Sequence, residues 1–315
     1  MTTTLDAPPA AKTERPLRRR PRRRPRRRAT APLTWLVPGL LLLLTARYVP
    51  TVLGANYAFT DWNGLSSVYN IVGLDNFTAI INNQDSRQAL VNTLVLAVTV
   101  VVAGNVLGLS LALALDSAIK TRNLVRAVFF APAVLSPLAT AYIWRYIFQV
   151  DGPFNRLLGA VGLDSWERSW LADPTWAQWA VAVVVVWQFS GLSMIIFLTG
   201  LQSIPAELAE AAAVDGAGAW RRFRLITLPL LAPATTIALT LTTIMALGIF
   251  DQVVALTGGG PVGKTATLST VMYEQTFSLG RFGYGTALAL ILTLVITVAS
   301  VTQLLVLRSR ERRIR

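Results

Sequence analysis

The stretch from Trp176 to Gly200, WAQWAVAVVVVWQFSGLSMIIFLTG, carries no Asp, Glu, Lys or Arg. A helix needs about 20 predominantly apolar residues to cross the hydrocarbon of a bilayer, and this stretch exceeds that length. It shows none of the strict alternation of a membrane β-strand, and inside lipid a helix satisfies every backbone group within its own segment. Working outward, five further stretches read the same way: Leu33–Phe59, Ala89–Leu115, Leu124–Phe148, Leu228–Phe250 and Gly285–Leu307. The expectation is an all-α, polytopic membrane protein with six transmembrane helices. Residues 1–32 form an Arg/Pro-rich tail expected to be disordered and cytoplasmic, residues 33–307 the membrane domain, and residues 308–315 a short basic tail.

Composition agrees. Of the 315 residues, 53% are hydrophobic and only 14% charged, against about 25% charged in a soluble domain. The net charge of +13 raises the question of nucleic acid, but its location argues against that partner. The densest run, RRRPRRRPRRR from Arg18 to Arg28, cannot bury apolar surface. Beside a span, such a tract fixes orientation and attracts anionic lipid. Nor does the start read as a cleaved signal, because the apolar run continues from Trp35 past Pro50 without a small-residue cleavage site. Cys and His are both absent. That excludes disulfides, thiol chemistry and most zinc or haem ligation, and removes the commonest acid–base group near neutral pH. The sequence points to no catalytic residue, no metal and no cofactor.

Basic residues orient the chain. Segments on the N-terminal side of the membrane hold Lys12, Arg15, the arginine tract, Lys120, Arg122, Arg126, Arg221, Arg222, Arg224, Arg308, Arg310, Arg312, Arg313 and Arg315. The opposite segments, Thr60–Gln88, Gln149–Thr175 and Asp251–Tyr284, hold only Arg87, Arg156, Arg168, Lys264 and Arg281. The positive-inside rule then places both termini in the cytoplasm.

The long cytoplasmic segment, residues 201–227, continues from Glu210 as EAAAVDGAGAWRRFRLIT and runs into LPLLAP. Its alanines favour a short helix from Ala206 to Val214, Gly216 and Gly218 offer a place to end or bend it, and Pro229 punctuates the next span. Small residues at the centre let another protein approach closely, and acidic groups can pair with its cations. This is a docking loop.

The segment resembles the EAA loop of permease subunits of ATP-binding-cassette importers. Glu210, Ala211, Ala212, Asp215, Gly216, Ala217, Ile226, Leu228 and Pro229 fit that pattern. Further stretches resemble the carbohydrate-type members: Val72–Phe77, Asn92-Thr93, Ile143-Trp144 with Phe148, Gly152 and Asn155, and Leu256–Pro261. The resemblance implies an import permease of the bacterial plasma (inner) membrane. It implies as partners a homologous second permease, two cytoplasmic ATPase subunits, an extracytoplasmic solute-binding protein and a sugar or related polyol or glycoside. It further implies that the loop's helix seats in the ATPase, with Glu210 giving a polar contact and Gly216 the sharp turn.

Two other features need a reading. GGGPVGKT, Gly258 to Thr265, satisfies the phosphate-loop pattern. A true phosphate loop follows a buried strand and opens a helix; this one follows an apolar helix on the outer side, so ATP binding is not expected there. Arg47 lies inside the first stretch, where a charge faces the bundle or snorkels, and is expected to pair with a carboxylate or carbonyls. For the sugar pathway the candidates are Trp187, Gln188 and Phe189, an aromatic–amide–aromatic cluster, with Asp251 and Gln252 at the end of the fifth stretch. Helix packing is an equally good use for the first three, and exposure at the rim for the last two. A secondary transporter or channel also fits the hydropathy, but has no use for the loop and would carry buried ionisable relays, which are sparse here. A membrane enzyme would need a convergent polar site.

Overall fold

In the computed structural model, residues 33–116 and 121–314 are described; the arginine tract, and with it the disordered tail expected over residues 1–32, lies outside them. The described residues are helical, apart from turns, loops and one isolated antiparallel bridge between Thr60 and Ile71. The chain divides into two units at Val49 and Pro50. In the first, a π-helical turn Leu44–Tyr48 holds Arg47, whose side chain is exposed.

The helices, in chain order, are α1 (Val37–Tyr57), α2 (Asp75–Asn82), α3 (Gln84–Asp116), α4 (Arg122–Val134), α5 (Pro137–Ile147), α6 (Pro153–Ala160) and α7 (Ala177–Gln202). There follow α8 (Ala206–Val214), α9 (Ala219–Leu230), α10 (Ala232–Leu247), α11 (Asp251–Thr257), α12 (Leu268–Tyr273) and α13 (Phe282–Ile314). Four of them, α1, α3, α7 and α13, are long and apolar enough to cross a membrane; counting the bent pairs α4–α5 and α9–α10 as one span each gives six.

The third and fifth apolar stretches are therefore broken, not straight, and proline chemistry explains where. Ser136 precedes Pro137, and the ring clash that drives such a residue out of the α region leaves it extended at φ −56, ψ 135. The chain turns there by 101°. In α9, Pro229 does not stop the helix. A π-helical turn, Phe223–Thr227, lies just before it, and the 68° bend falls instead at Leu231, ahead of Pro233. A proline conflicts with the i→i−4 bonding of an α-helix; the wider π register is a local adjustment beside that conflict.

Side-chain contacts fix the helix directions. Gln178 Nε2 donates to the Asn92 carbonyl (3.3 Å) near the starts of α7 and α3. Farther along both, a Cβ on Gly108 would lie 2.5 Å from Ser193 Cβ. α3 and α7 thus run parallel. Ser86 and Tyr284 share a hydrogen bond (3.0 Å) at the start of α3 and of α13, so α13 begins beside them. α10 runs the other way: Ala234 meets Gly200 near the end of α7, Thr236 donates to Glu311 near the end of α13, and Thr242 accepts from Asn105 Nδ2 (2.8 Å) farther back along α3. α4 is likewise antiparallel to α7: its Phe129 carbonyl meets Gly191, and the Leu135 carbonyl just past its end accepts from Gln188.

α7 is the hub of this arrangement, with 67% of its central apolar window buried. Glycine makes that possible: a Cβ at Gly191 would stand 2.5 Å from the Phe129 carbonyl oxygen. Without the usual hydrophobic drive between helices in lipid, such close backbone approach is what packs them. One buried cluster joins Val181, Val184, Val185 and Phe189 to Ala246, Ile249 and Val253; a second joins Met194, Phe197 and Leu198 to Ala112, Leu115 and Leu231.

Candidate functional site

The loop expected to dock, residues 201–227, sits at the end of α7. Its helix α8 spans Ala206–Val214, the range its alanines suggest, with Glu207 in the first turn. Gly216, at φ +77, closes it. The Gly216 amide donates to the Ala213 carbonyl (3.1 Å) and the Ala217 amide to the Ala212 carbonyl (2.9 Å). These two bonds make a Schellman stop, in which a residue in the left-handed region, usually glycine, follows the cap. Glu210, Ala211, Asp215 and Gly216 are exposed, Ala217 is half-buried and Ala212 is buried. Around them, Leu208, Val214, Trp220 and Leu225 also stand exposed, Val214 at 88%. Apolar side chains gathered on a projecting loop, beside a carboxylate, form a surface suited to another protein.

The pathway candidates separate into two groups. Gln188 and Gln252 come together: Gln252 Nε2 donates to Gln188 Oε1 (2.9 Å), and Gln188 Nε2 donates to the Leu135 carbonyl (3.1 Å). Both glutamines are buried. Leu135 lies at the α4–α5 break, where helix geometry frees a carbonyl, and non-helical backbone at membrane depth must find such a partner. Phe189 is buried in the α7 cluster. Trp187, by contrast, is half-buried and meets Trp144 edge-on, with ring centroids 5.5 Å apart. Asp251 is exposed. It does not end the fifth span; it opens the short helix α11 after a break at Gly248 to Phe250. Trp144 and the Asn105–Thr242 pair were not singled out as site residues. The signal available for Asn105 was its polarity inside an apolar stretch.

At the opposite end of α3 and α7, Gly258 to Thr265 folds as a compact turn. The amides of Gly258, Gly259, Gly260, Lys264 and Thr265 already donate to oxygens within residues 253–261. The Thr265 hydroxyl, buried at 2%, donates to the Gly260 carbonyl (2.6 Å). A phosphate cradle needs those groups free and a preceding strand; here α11 precedes the turn. Asn92 holds the turn from below, its Nδ2 donating to the Gly263 and Ala266 carbonyls (2.9 Å each). Nearby, in the segment before α7, Asn155 Nδ2 donates to the Val150 and Arg168 carbonyls (2.9 Å each) and its Oδ1 accepts from Trp170 Nε1 (2.7 Å). The Arg168 guanidinium lies 4.8 Å from the Trp176 ring centroid and 5.2 Å from that of Trp170, a cation–π arrangement that stiffens this cap.

The family described as binding-protein-dependent transport system inner membrane component matches residues 104–312. The multiple sugar-binding transport system permease protein of Streptococcus mutans is 38% identical over 271 residues, covering 86% of this chain and 93% of that protein. The probable starch degradation products transport system permease protein of Thermoanaerobacterium thermosulfurigenes is 35% identical over 277 residues, covering 88% and 94%. Among solved structures, a chain of a bacterial alginate ABC transporter, in complex with an alginate pentasaccharide-bound periplasmic protein, is similar with a TM-score of 0.74. It is 25% identical, over 86% of this chain and 91% of the other.

Proposed function

Because the chain belongs to the inner-membrane permease components of binding-protein-dependent transport systems, we propose that it forms half of the translocation pathway of an ATP-driven sugar importer in the bacterial inner membrane. The observation that carries this reading is α8, an exposed helix bearing Glu210 and closed at Gly216, at the end of the bundle where α7 delivers it. Its partners are two cytoplasmic ATPase subunits, a homologous second permease completing a heteromeric pore, and an extracytoplasmic sugar-binding protein. The chain itself is a transport subunit, and the hydrolysis belongs to the ATPases.

Six spans follow if each bent pair crosses once: α3, α7 and α13 run inward and α10 outward, with α4–α5 returning between α3 and α7. The basic residues Arg122, Arg126, Arg221, Arg222, Arg224, Arg308 and Arg310 gather at the α8 end, which supports a cytoplasmic location for that end and for both termini. ATP-driven closure, transmitted through Glu210, Ala211, Ala212, Asp215, Gly216 and Ala217, rocks the helices between inward- and outward-facing states. Alternating access exposes the sugar site to one side at a time. Trp187, set against Trp144, offers an aromatic face to the sugar path, and Asp251 a carboxylate. Gln188, Phe189 and Gln252 hold the wall behind them.

The test is to purify the chain from its native membrane, identify its neighbours, and measure ATP hydrolysis with the co-encoded binding protein and a panel of maltose, maltotriose, lactose, trehalose and diacetylchitobiose. Stimulation by one panel sugar, abolished by Gly216→Pro, is the expected result. Proline fits neither the positive φ nor the amide bond to Ala213. If no ATPase co-purifies under gentle conditions, the reading fails and a secondary transporter or channel takes its place.

A further inference from the structure

Two cavities lie at the end of the bundle opposite α8, and neither is lined by Trp187, Gln188, Phe189, Asp251 or Gln252. One, of ≈ 470 Å³, is lined by Asp85, Gln88 and Gln275 among others; the second, of ≈ 460 Å³, by Thr270 and Tyr273. They share Gly263, Ala266 and Glu274, so they adjoin across the Glu274 side chain. Each falls within the roughly 300–1,000 Å³ typical of small-molecule sites, and both are far larger than a bare ion requires.

Their chemistry is one-sided. No Lys or Arg lines either cavity, and the exposed side chains of Asp85 and Glu274 bring two carboxylates to the crevice. Gln275 contributes to the wall of the first cavity, although its Oε1 is buried behind that wall and does not face the cavity. The wall is held firm by Asn92, which bonds the Gly263 and Ala266 carbonyls. Glu274 and Gln275 stand on a π-helical turn, Glu274–Ser278, a distortion frequent at functional sites. Beside Glu274, the Tyr273 ring is 45% exposed and braced by Phe250 and Phe277 at 5.2 and 5.1 Å.

We propose that this crevice is a subsite for a neutral saccharide longer than one ring, held at the outer mouth of the pathway before it reaches the centre. Sugar hydroxyls donate to carboxylate and amide oxygens, with charge-assisted bonds the stronger, while the C–H face of a ring packs on Tyr273. Two carboxylates at the crevice repel an acidic sugar, so the subsite selects neutral chains over uronates. The proposal rests on the importer reading and on its orientation.

The test uses the assembled complex in nanodiscs, without binding protein, and measures direct binding of maltotriose, lactose, trehalose, diacetylchitobiose and digalacturonate. The expected result is binding of a neutral sugar in the millimolar range, absent for digalacturonate. Glu274→Gln or Asp85→Asn should weaken it at least about tenfold, which is about 1.4 kcal/mol. Both variants keep side-chain volume, and an unchanged ATPase rate without sugar shows that the complex is intact. If a panel sugar stimulates ATP hydrolysis through the binding protein yet no sugar binds without it, the subsite is refuted and the importer stands. Unchanged sugar binding combined with weaker docking of the loaded binding protein makes the crevice a protein contact, which also overturns the proposal. Binding of Ca²⁺ in place of sugar, lost in Glu274→Gln, makes it a cation site. If no sugar stimulates hydrolysis at all, the sugar reading beneath the proposal has failed.

Discussion

Gly216 is the place where one backbone angle is expected to govern coupling. Its φ is +77, and a Cβ built there meets nothing within 4 Å, so substitution acts through the backbone and not through a clash inside this chain. Holding an L-residue in the left-handed region costs about 1–2 kcal/mol, with Asn the least penalised. At 1.4 kcal/mol per tenfold, the population in which the Gly216 and Ala217 amides close α8 should fall by roughly 5- to 30-fold for Ala, less for Asn and more for the β-branched Val. The first assay is hydrogen exchange of residues 206–217 in the isolated chain, where protection should fall in the order Gly, Asn, Ala, Val. The second is sugar imported per ATP hydrolysed by the assembled complex, which should follow the same order. Wild-type exchange and coupling in Gly216→Val would refute the reasoning, as would Asn proving worse than Val. Normal exchange with lost coupling would mean instead that the ATPase fills the space beside Gly216.

Three shorter predictions follow. Gln252→Leu leaves Gln188 Oε1 without its donor, and Gln188→Leu strips both Gln252 and the Leu135 carbonyl. Each should cost about 1–3 kcal/mol, the second more, read as earlier thermal inactivation of the complex; unchanged stability with a raised KM for sugar would make these residues substrate contacts. Lys264→Ala should leave sugar-stimulated ATP hydrolysis intact in the assembled complex, because Lys264 is exposed on a turn whose amides are already used; complete loss of hydrolysis would reopen the phosphate-loop reading. The Asp61 carboxylate is held below its ordinary 3.8 by the Asn70 side-chain amide, then by the Asn70 backbone amide. Its folded value is depressed, so its support of the loop is present at neutral pH and is lost as pH falls below 3.8 through the folded value. Exchange protection at Asn70 should drop in that range, and Asp61→Asn, which keeps an acceptor for the Asn70 backbone amide but cannot titrate, should abolish the pH dependence; a drop that persists in the variant would assign it elsewhere.

Much of the architecture is legible in the sequence because hydrophobic length is a local property. An uncharged run such as Trp176–Gly200 has one stable form in lipid, and the alanines and glycines of 206–218 specify a short helix with a defined stop. The helix Ala206–Val214 and its stop at Gly216 could be read from the sequence for the same reason: both are made by neighbours along the chain. Prolines are local too, but their outcome was not. Pro137 opens a helix after a sharp break, whereas Pro132 lies inside α4 and Pro229 inside α9, just after a π-helical turn.

The polar residues within the spans mark the other limit. Gln188 and Gln252 stand out in an apolar sequence whether they face a sugar or one another, since composition is the same in both cases. Only the fold brings residues 188, 252 and 135 together and gives the glutamines the freed carbonyl of a broken helix. In the same way, residues 83–88 and 262–279 carry no shared motif, yet α3, the turn after α11 and the π-turn after α12 set Asp85 and Glu274 around one crevice. Sequence by itself determined what each segment had to be, through hydrophobic length, backbone propensity and charge. Tertiary structure decided which segments meet, because the energy of a buried hydrogen bond or a close glycine crossing exists only once both partners are in place.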